Sequence, residues 1–211
     1  MPRSARLVEL ADALHLRRAA APAPAAATRW DLEGLAGRLV ELTGDGDSAA
    51  LTLATGLVLA AQRRGEPVAW VTTPERQFFP PDVAAGGIDL AALPVLRIAD
   101  ARTRLRATDH LLRSGAFGLV VVDLGEEASL SLARQSRLLG LAQRHDTVLL
   151  LVTHRARGAP SPGSLVSLRA ATRVRRCGED RFACEPEIVK DKRGGVGHRH
   201  RELCRGPAGL H

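Results

Sequence analysis

The sequence predicts an α/β fold built on a mainly parallel sheet flanked by helices, and three observations carry that prediction. From Arg29 onward, strand-length apolar runs alternate with segments of helical period. The segment from Arg38 through the glycines Gly44 and Gly46 to Ala54 reads as strand, glycine turn, then helix, which is the syntax of a phosphate-binding loop. A nearly all-apolar run, Gly118 to Asp123, ends in a carboxylate, as the acidic strand of such folds does.

Taken in order, Leu7, Leu10, Ala11 and Leu14 recur at helical spacing, predicting a separate amphipathic helix over residues 1–18 with Arg17 and Arg18 near its C-terminus. Residues 19–28 are alanine, proline and threonine, the composition of a tether. A helix on a tether can fold back on its own domain or pack on another molecule. The core is then expected over 29–205, with a short tail at 206–211. Within it the first strand is expected at 38–42 and the helix after the loop at 47–64, stopped by Gly65. Further strands are expected at 67–71, 95–98, 118–123 and 147–153, with helices at 102–114 and 128–144 between them. Gly115 stands where a left-handed C-cap belongs. Three antiparallel strands are expected last, at about 172–176, 182–190 and 199–204.

The loop has the framework of a phosphate site without its working groups. A functional P-loop needs a lysine to reach the β- and γ-phosphates and a following hydroxyl to hold Mg²⁺. Counting through Gly44, Asp45, Gly46, Asp47, Ser48 and Ala49, those two places fall to Ala50 and Leu51. Asp45 and Asp47 also place negative charge where a helix N-terminus would attract phosphate. These residues therefore predict no catalytic residue, no nucleotide cofactor and no enzyme. Asp123 fits a remnant Mg²⁺-associated carboxylate, or simply a hydrogen-bonding residue at a strand end. His154, after the 147–153 strand, fits a polar sensor or an ordinary strand end. Glu126 and Glu127 suit the start of the next helix.

The chain of 211 residues has 30 Lys and Arg against 23 Asp and Glu, a formal charge of +7 that permits acidic or nucleic-acid partners and equally a solvated basic surface. Only two of the basic residues are lysines, Lys190 and Lys192, and they stand two apart beside Arg193. Lysine is a compact point charge suited to phosphate, so this pair is either a contact site or a charged hairpin. Three cysteines, an odd number, without a signal-peptide pattern fit a reducing cytoplasm. No apolar run is long enough for a membrane helix. Cys177, Cys184, His198, His200 and Cys204 gather late in the chain, but without a C-x-x-C pair buried thiols and solvated histidines are expected and a metal is not.

Together these landmarks resemble the RecA-type core, and more closely the ImuA family of RecA-related accessory proteins. The resemblance spans about 37–202 and rests on Gly37-Arg-Leu-Val-Glu-Leu, Gly44 to Ser48, Gly115 to Asp123, Val148 to Arg155, and Ile188-Val-Lys-Asp-Lys. It implies a degenerate RecA-like P-loop core. It also implies a noncatalytic adaptor, induced in the SOS response to DNA damage, acting in mutagenic translesion synthesis with RecA, with the inactive-polymerase relative ImuB and, indirectly, with an error-prone DnaE-type polymerase. In RecA filaments each subunit offers its own P-loop on one face and a Lys-x-Lys pair to its neighbour's ATP on the other. By that resemblance Lys190, Lys192 and Arg193 form one partner surface, and Leu7, Leu10 and Leu14 a second. RecA-type proteins also carry two mobile DNA-binding loops, after the acidic and the sensor strands. Here Asp123 runs almost directly into the next helix, so the first is lost, and the second is a short connection, which implies weak or no direct DNA binding, with Arg155 and Arg157 left as nonspecific phosphate contacts. A SulA-like cell-division inhibitor and a divergent RecA-like ATPase are the alternative expectations.

Overall fold

The structure, a computed structural model, describes residues 29–46, 48–75, 78–125, 129–178 and 181–205. The expected N-terminal helix with Leu7, Leu10 and Leu14, the tether, Asp47, Glu126, Glu127 and the tail at 206–211 lie outside the described residues.

The chain opens with a single helical turn, α1 (Leu32–Leu35), capped by the Asp31 carboxylate, which accepts from the Gly34 amide. Next come β1 (Leu39–Thr43), α2 (Ala50–Arg63), β2 (Val68–Thr72), a short α3 (Pro80–Ala85) and β3 (Val95–Arg97). Then follow α4 (Ala101–Ser114), β4 (Leu119–Gly125), α5 (Leu132–Arg144) and β5 (Val148–Thr153). The chain closes with β6 (Leu168–Arg176), β7 (Arg181–Asp191) and β8 (Glu202–Arg205). The eight strands form one sheet in the order β3-β2-β4-β5-β1-β6-β7-β8. Strands β1 to β6 are mutually parallel, and only β7 and β8 run antiparallel to their neighbours.

Helices cover the parallel strands on both faces, which is why β1, β2, β4 and β5 are buried along their whole length. On one face α2 presents Leu53, Ala54, Leu57, Val58 and Ala61 to Val40, Leu42, Val121 and Leu150. On the other, Leu105 and Leu112 of α4 and Leu138 and Ala142 of α5 pack on Leu39, Val120, Val122 and Leu149. Helix α4 starts at an Asp100 cap and stops at Gly115, whose φ of 66° lies in the left-handed region, as the sequence predicts.

Three expectations are corrected. The strand expected as antiparallel over 172–176 begins at Leu168 and lies parallel to β1, with its antiparallel partner β7 on the far side. The helix expected from 128 starts at Leu132, because Ser131 caps it and the Leu130 amide is already bonded to the Pro162 carbonyl. The helix expected from Asp47 starts at Ala50, after a loop described in the next section.

The last strand carries a built-in cost. Burial pushes the Glu202 carboxyl above its usual 4.5, against the smaller opposing pull of His200. A carboxyl with a raised folded-state pKa binds its proton more tightly when folded, so stability falls as pH rises through that window. Glu202→Gln is therefore expected to raise the melting temperature by about 1–3 °C at pH 7 and to leave it unchanged at pH 4. Thermal melts at the two pH values check this, and equal shifts at both would remove the titration from the account.

Candidate functional site: a closed loop and a pinned crossover

The loop after β1 lies at the carboxyl ends of the parallel strands, where α/β folds place their ligands. Here it is closed on itself. The Ser48 hydroxyl accepts from the Ala50 amide at 3.1 Å and pairs with the Thr172 hydroxyl at 2.9 Å, while the Ser48 amide bonds the Gly46 carbonyl at 2.8 Å. Thr172 in turn donates to the Thr43 carbonyl, so the turn is tied to β6 as well as to β1. Gly44 is required by this closure, since a Cβ there would lie 2.4 Å from the Ser48 oxygen. Ala49 is wholly buried and Ala50 is 3% exposed, and both belong to the core under α2, against which Leu51 also packs. Ala50 and Leu51, which stand at the spacing of a P-loop lysine and hydroxyl, are thus packing positions. Asp45 is exposed beside them.

Asp123 is buried and engaged. One of its oxygens accepts from the Gly125 amide at 3.2 Å and the other from the Thr72 hydroxyl of β2 at 3.5 Å, across a bulge where β4 shifts register between Asp123 and Gly125. It holds the end of β4 to β2. His154 is half-buried, and its amide extends the β4–β5 pairing by bonding the Gly125 carbonyl.

Beyond His154 the chain must return to the amino end of the sheet, because β6 is parallel to β1. It does so through residues 154–167 without a helix. Parallel crossovers normally bury an apolar helix on the sheet, so the polar backbone of this one has to be satisfied by other means. The sequence supplies two charged side chains. Glu41, in the middle of β1 and fully buried, accepts from the Thr153 hydroxyl at 2.9 Å and the Ser161 hydroxyl at 2.6 Å. Arg169 of β6 lies 3.2 Å from the same carboxylate and donates to the carbonyls of Ala156 and Ala159. Thr43 donates to the Arg155 carbonyl, and Gln135 of α5 accepts from the Leu165 amide at 2.7 Å. Gly163 fits because a Cβ there would lie 2.2 Å from the Gln135 amide group. Arg155 donates to the Pro160 carbonyl and Arg157 pairs with Glu187 of β7, so both arginines expected as phosphate contacts have internal partners.

The lysine pair lies at the opposite end of the strands from the Gly44 loop, since Lys190 pairs with Arg169 at the start of β6 and Pro186 with Thr172 beside Ser48. A bulge at Val189 breaks the alternation of β7 and brings Lys190 onto the Arg169 face. There Lys190 and Lys192 both donate to the Ser164 carbonyl of the crossover, at 3.3 and 2.8 Å. Partial burial, and secondarily the Lys192 charge, hold the Lys190 ammonium below the usual lysine range. Arg193 reaches back to the Gly37 carbonyl. Beneath it Arg38 of the β1 approach is buried against Asp191 and Ser167. Sequence reasoning singled out the lysines but missed Glu41, Arg169, Arg38 and Asp191; the available signal was a charge inside a strand for Glu41 and Arg169 and a charge at a strand end for Arg38 and Asp191. In the C-terminal hairpin Cys184 meets Cys204, and burial followed by that contact pushes the Cys184 thiol up to about 12. Among the described residues no three His, Cys, Asp or Glu side chains converge as metal ligands.

No family model matches the chain. Over 122 residues it is 33% identical to the RecA protein of Prochlorococcus marinus strain MIT 9303, covering 53% of this chain and 32% of that protein. The RecA of Synechocystis sp. strain ATCC 27184 / PCC 6803 / Kazusa is 33% identical over 119 residues, 51% of this chain and 33% of its own. The chain spans about a third of the length of the curated relatives it matches. Similarity and architecture agree on a RecA-like α/β fold: a mostly parallel sheet flanked by helices, with antiparallel C-terminal strands. No helix among the described residues is long and apolar enough to cross a membrane.

Removing one partner of a buried ion pair leaves the other uncompensated, at roughly 3–5 kcal/mol. Glu41→Ala is expected to lose about that much stability in urea denaturation. It should also open the crossover to trypsin at Arg155 and Arg157. A loss below about 1 kcal/mol with the crossover still protected would show that the pair does not pin it.

Proposed function

We propose that this chain is a noncatalytic, RecA-like adaptor of the ImuA type, acting in the cytoplasm in SOS-induced translesion synthesis. In this reading it binds RecA and ImuB, modulates the RecA filament, and is linked through ImuB to an error-prone DnaE-type polymerase. The observation that carries the reading is the conversion of the phosphate-binding positions: Ala50 and Leu51 pack the helix onto the sheet, and the Ser48 hydroxyl takes the helix-entrance amide that would otherwise face an anion. A subunit built this way keeps the shape of a RecA-like core and cannot clamp a triphosphate at its own loop.

The second support is the position of the lysines. Lys190 and Lys192 stand at the far end of the strands from that loop, and each ammonium has three donors, of which the Ser164 carbonyl uses one. The remaining donors suit the phosphates of a neighbouring RecA subunit's nucleotide. The chain then docks on a RecA end without offering a nucleotide-bearing face to the next subunit. The pinned crossover, with Arg155 and Arg157 bonded internally, supports weak or no direct DNA binding.

Calorimetric titration with Mg²⁺-ATP is expected to give no binding tighter than about millimolar. A micromolar isotherm would return the chain to the ATPases. In a separate titration against nucleotide-loaded RecA, the Lys190→Ala and Lys192→Ala double variant should bind at least about tenfold more weakly than the parent. Undiminished binding would remove the lysines from the interface.

A further inference from the structure

Helices α4 and α5 leave between them a groove of about 270 Å³, on the face of the sheet opposite α2. Its floor is Leu105 and Leu138, and its rims carry Arg106 and Arg113 from α4 and Arg134 and Arg137 from α5. One carboxylate, Asp109, lies among them, bonded to Arg137 and to Arg113 at 3.1 Å. Those hydrogen bonds, Arg137's above all, hold the Asp109 carboxyl below its usual range, so it remains an anion and fixes two of the four guanidiniums in place. Neither Arg106 nor Arg134 has a carboxylate partner among the described residues. Other arginines of the fold do have one: Arg38 has Asp191, Arg64 has Glu33, Arg157 and Arg199 share Glu187, and Arg169 has Glu41. Between α4 and α5 the charge is left over.

We propose that this groove is the docking site for an acidic amphipathic helix of a partner protein, its apolar residues on Leu105 and Leu138 and its carboxylates on the arginine rims. The chemistry selects that occupant. An apolar floor between two helices takes helical anchors spaced i, i+3, i+4 and i+7. A planar guanidinium pairs bidentately with carboxylates, and four of them against one acid leave an excess of three positive charges to be matched. No Phe, Tyr or Trp lines the groove and His110 is its one ring, so it lacks the succession of stacking platforms by which proteins hold runs of unpaired bases. The chain's own helix-period segment does not suit it, because Arg3, Arg6, Arg17 and Arg18 outnumber Glu9 and Asp12 there. The inference stands apart from the lysine surface and goes beyond the adaptor reading.

The test uses the full chain and a fluorescein-labelled peptide of about 18 residues, five helical turns, with leucines on one face and glutamates elsewhere. Fluorescence anisotropy should show saturable binding. That binding should weaken at least about tenfold in the Arg106→Glu and Arg134→Glu double variant and stay unchanged in Arg173→Glu, an exposed site on β6. Thermal melts verify the fold, and a double Arg→Gln variant serves if the Glu pair melts early. Equal binding of a permuted peptide of the same composition, or unchanged binding by the double variant, would overturn the proposal. So would tighter competing binding by oligothymidylate, which would assign the groove to nucleic acid.

Discussion

A carboxylate and a guanidinium buried together between β1 and β6 govern the architecture around them. Glu41 and Arg169 sit on adjacent parallel strands, on the face that the returning chain must cross. Taking two charges out of water is expensive, and hydrogen bonds to the remaining lone pairs and donors offset the cost. Here Thr153 and Ser161 donate to the carboxylate and two crossover carbonyls accept from the guanidinium, whose Nε faces Glu41 as an ion pair without a hydrogen bond. The result is a polar plug in the place where an ordinary α/β crossover would lay an apolar helix. It fixes the path of 154–167, and that path presents the Ser164 carbonyl to the lysine pair of β7.

The two ends of β1 then take on opposite characters. At its carboxyl end, small and apolar residues pack the start of α2 onto the sheet, and the Ser48 and Ala50 amides are bonded within the loop. At its amino end, Arg38 and Asp191 form a second buried pair beneath an exposed cationic corner. The buried pairs serve register and the path of the chain. The exposed charges, at the lysine corner and along the α4–α5 groove, are the ones available to other molecules.

Much of the fold was legible because its signals are local. The nearly all-apolar β4 and β5, the helical stripes of α2 and α4 and the stop at Gly115 follow from periodicity and backbone preference. The glycine turn after β1 and the helix that follows it were legible too, though that helix starts at Ala50. The direction of β6 was not, because Leu168 to Ala171 carries the same local signal whether its neighbour runs parallel or antiparallel; pairing with β1, far back in the sequence, decides it. The start of α5 was obscured because Leu130 is held by a Pro162 contact that no local pattern encodes. Glu41 and Arg169 were passed over for a related reason: a charge inside a strand acquires meaning only when its partner, far along the chain, is known. The α4–α5 groove was invisible, since it requires the mutual placement of two separate helices.

The extra residue in β7 has an evolutionary corollary. Because Val189 occupies a place with no counterpart in β6, the sidedness of everything after it depends on a count of one. Straightening β7 without losing a residue would leave composition and charge untouched and would turn the cationic pair toward the α2 face, whereas deleting Val189 would keep Lys190 opposite Arg169. Substitutions that let the bulge straighten, more than the loss of its residue, are therefore the changes by which this lineage could abandon that surface abruptly.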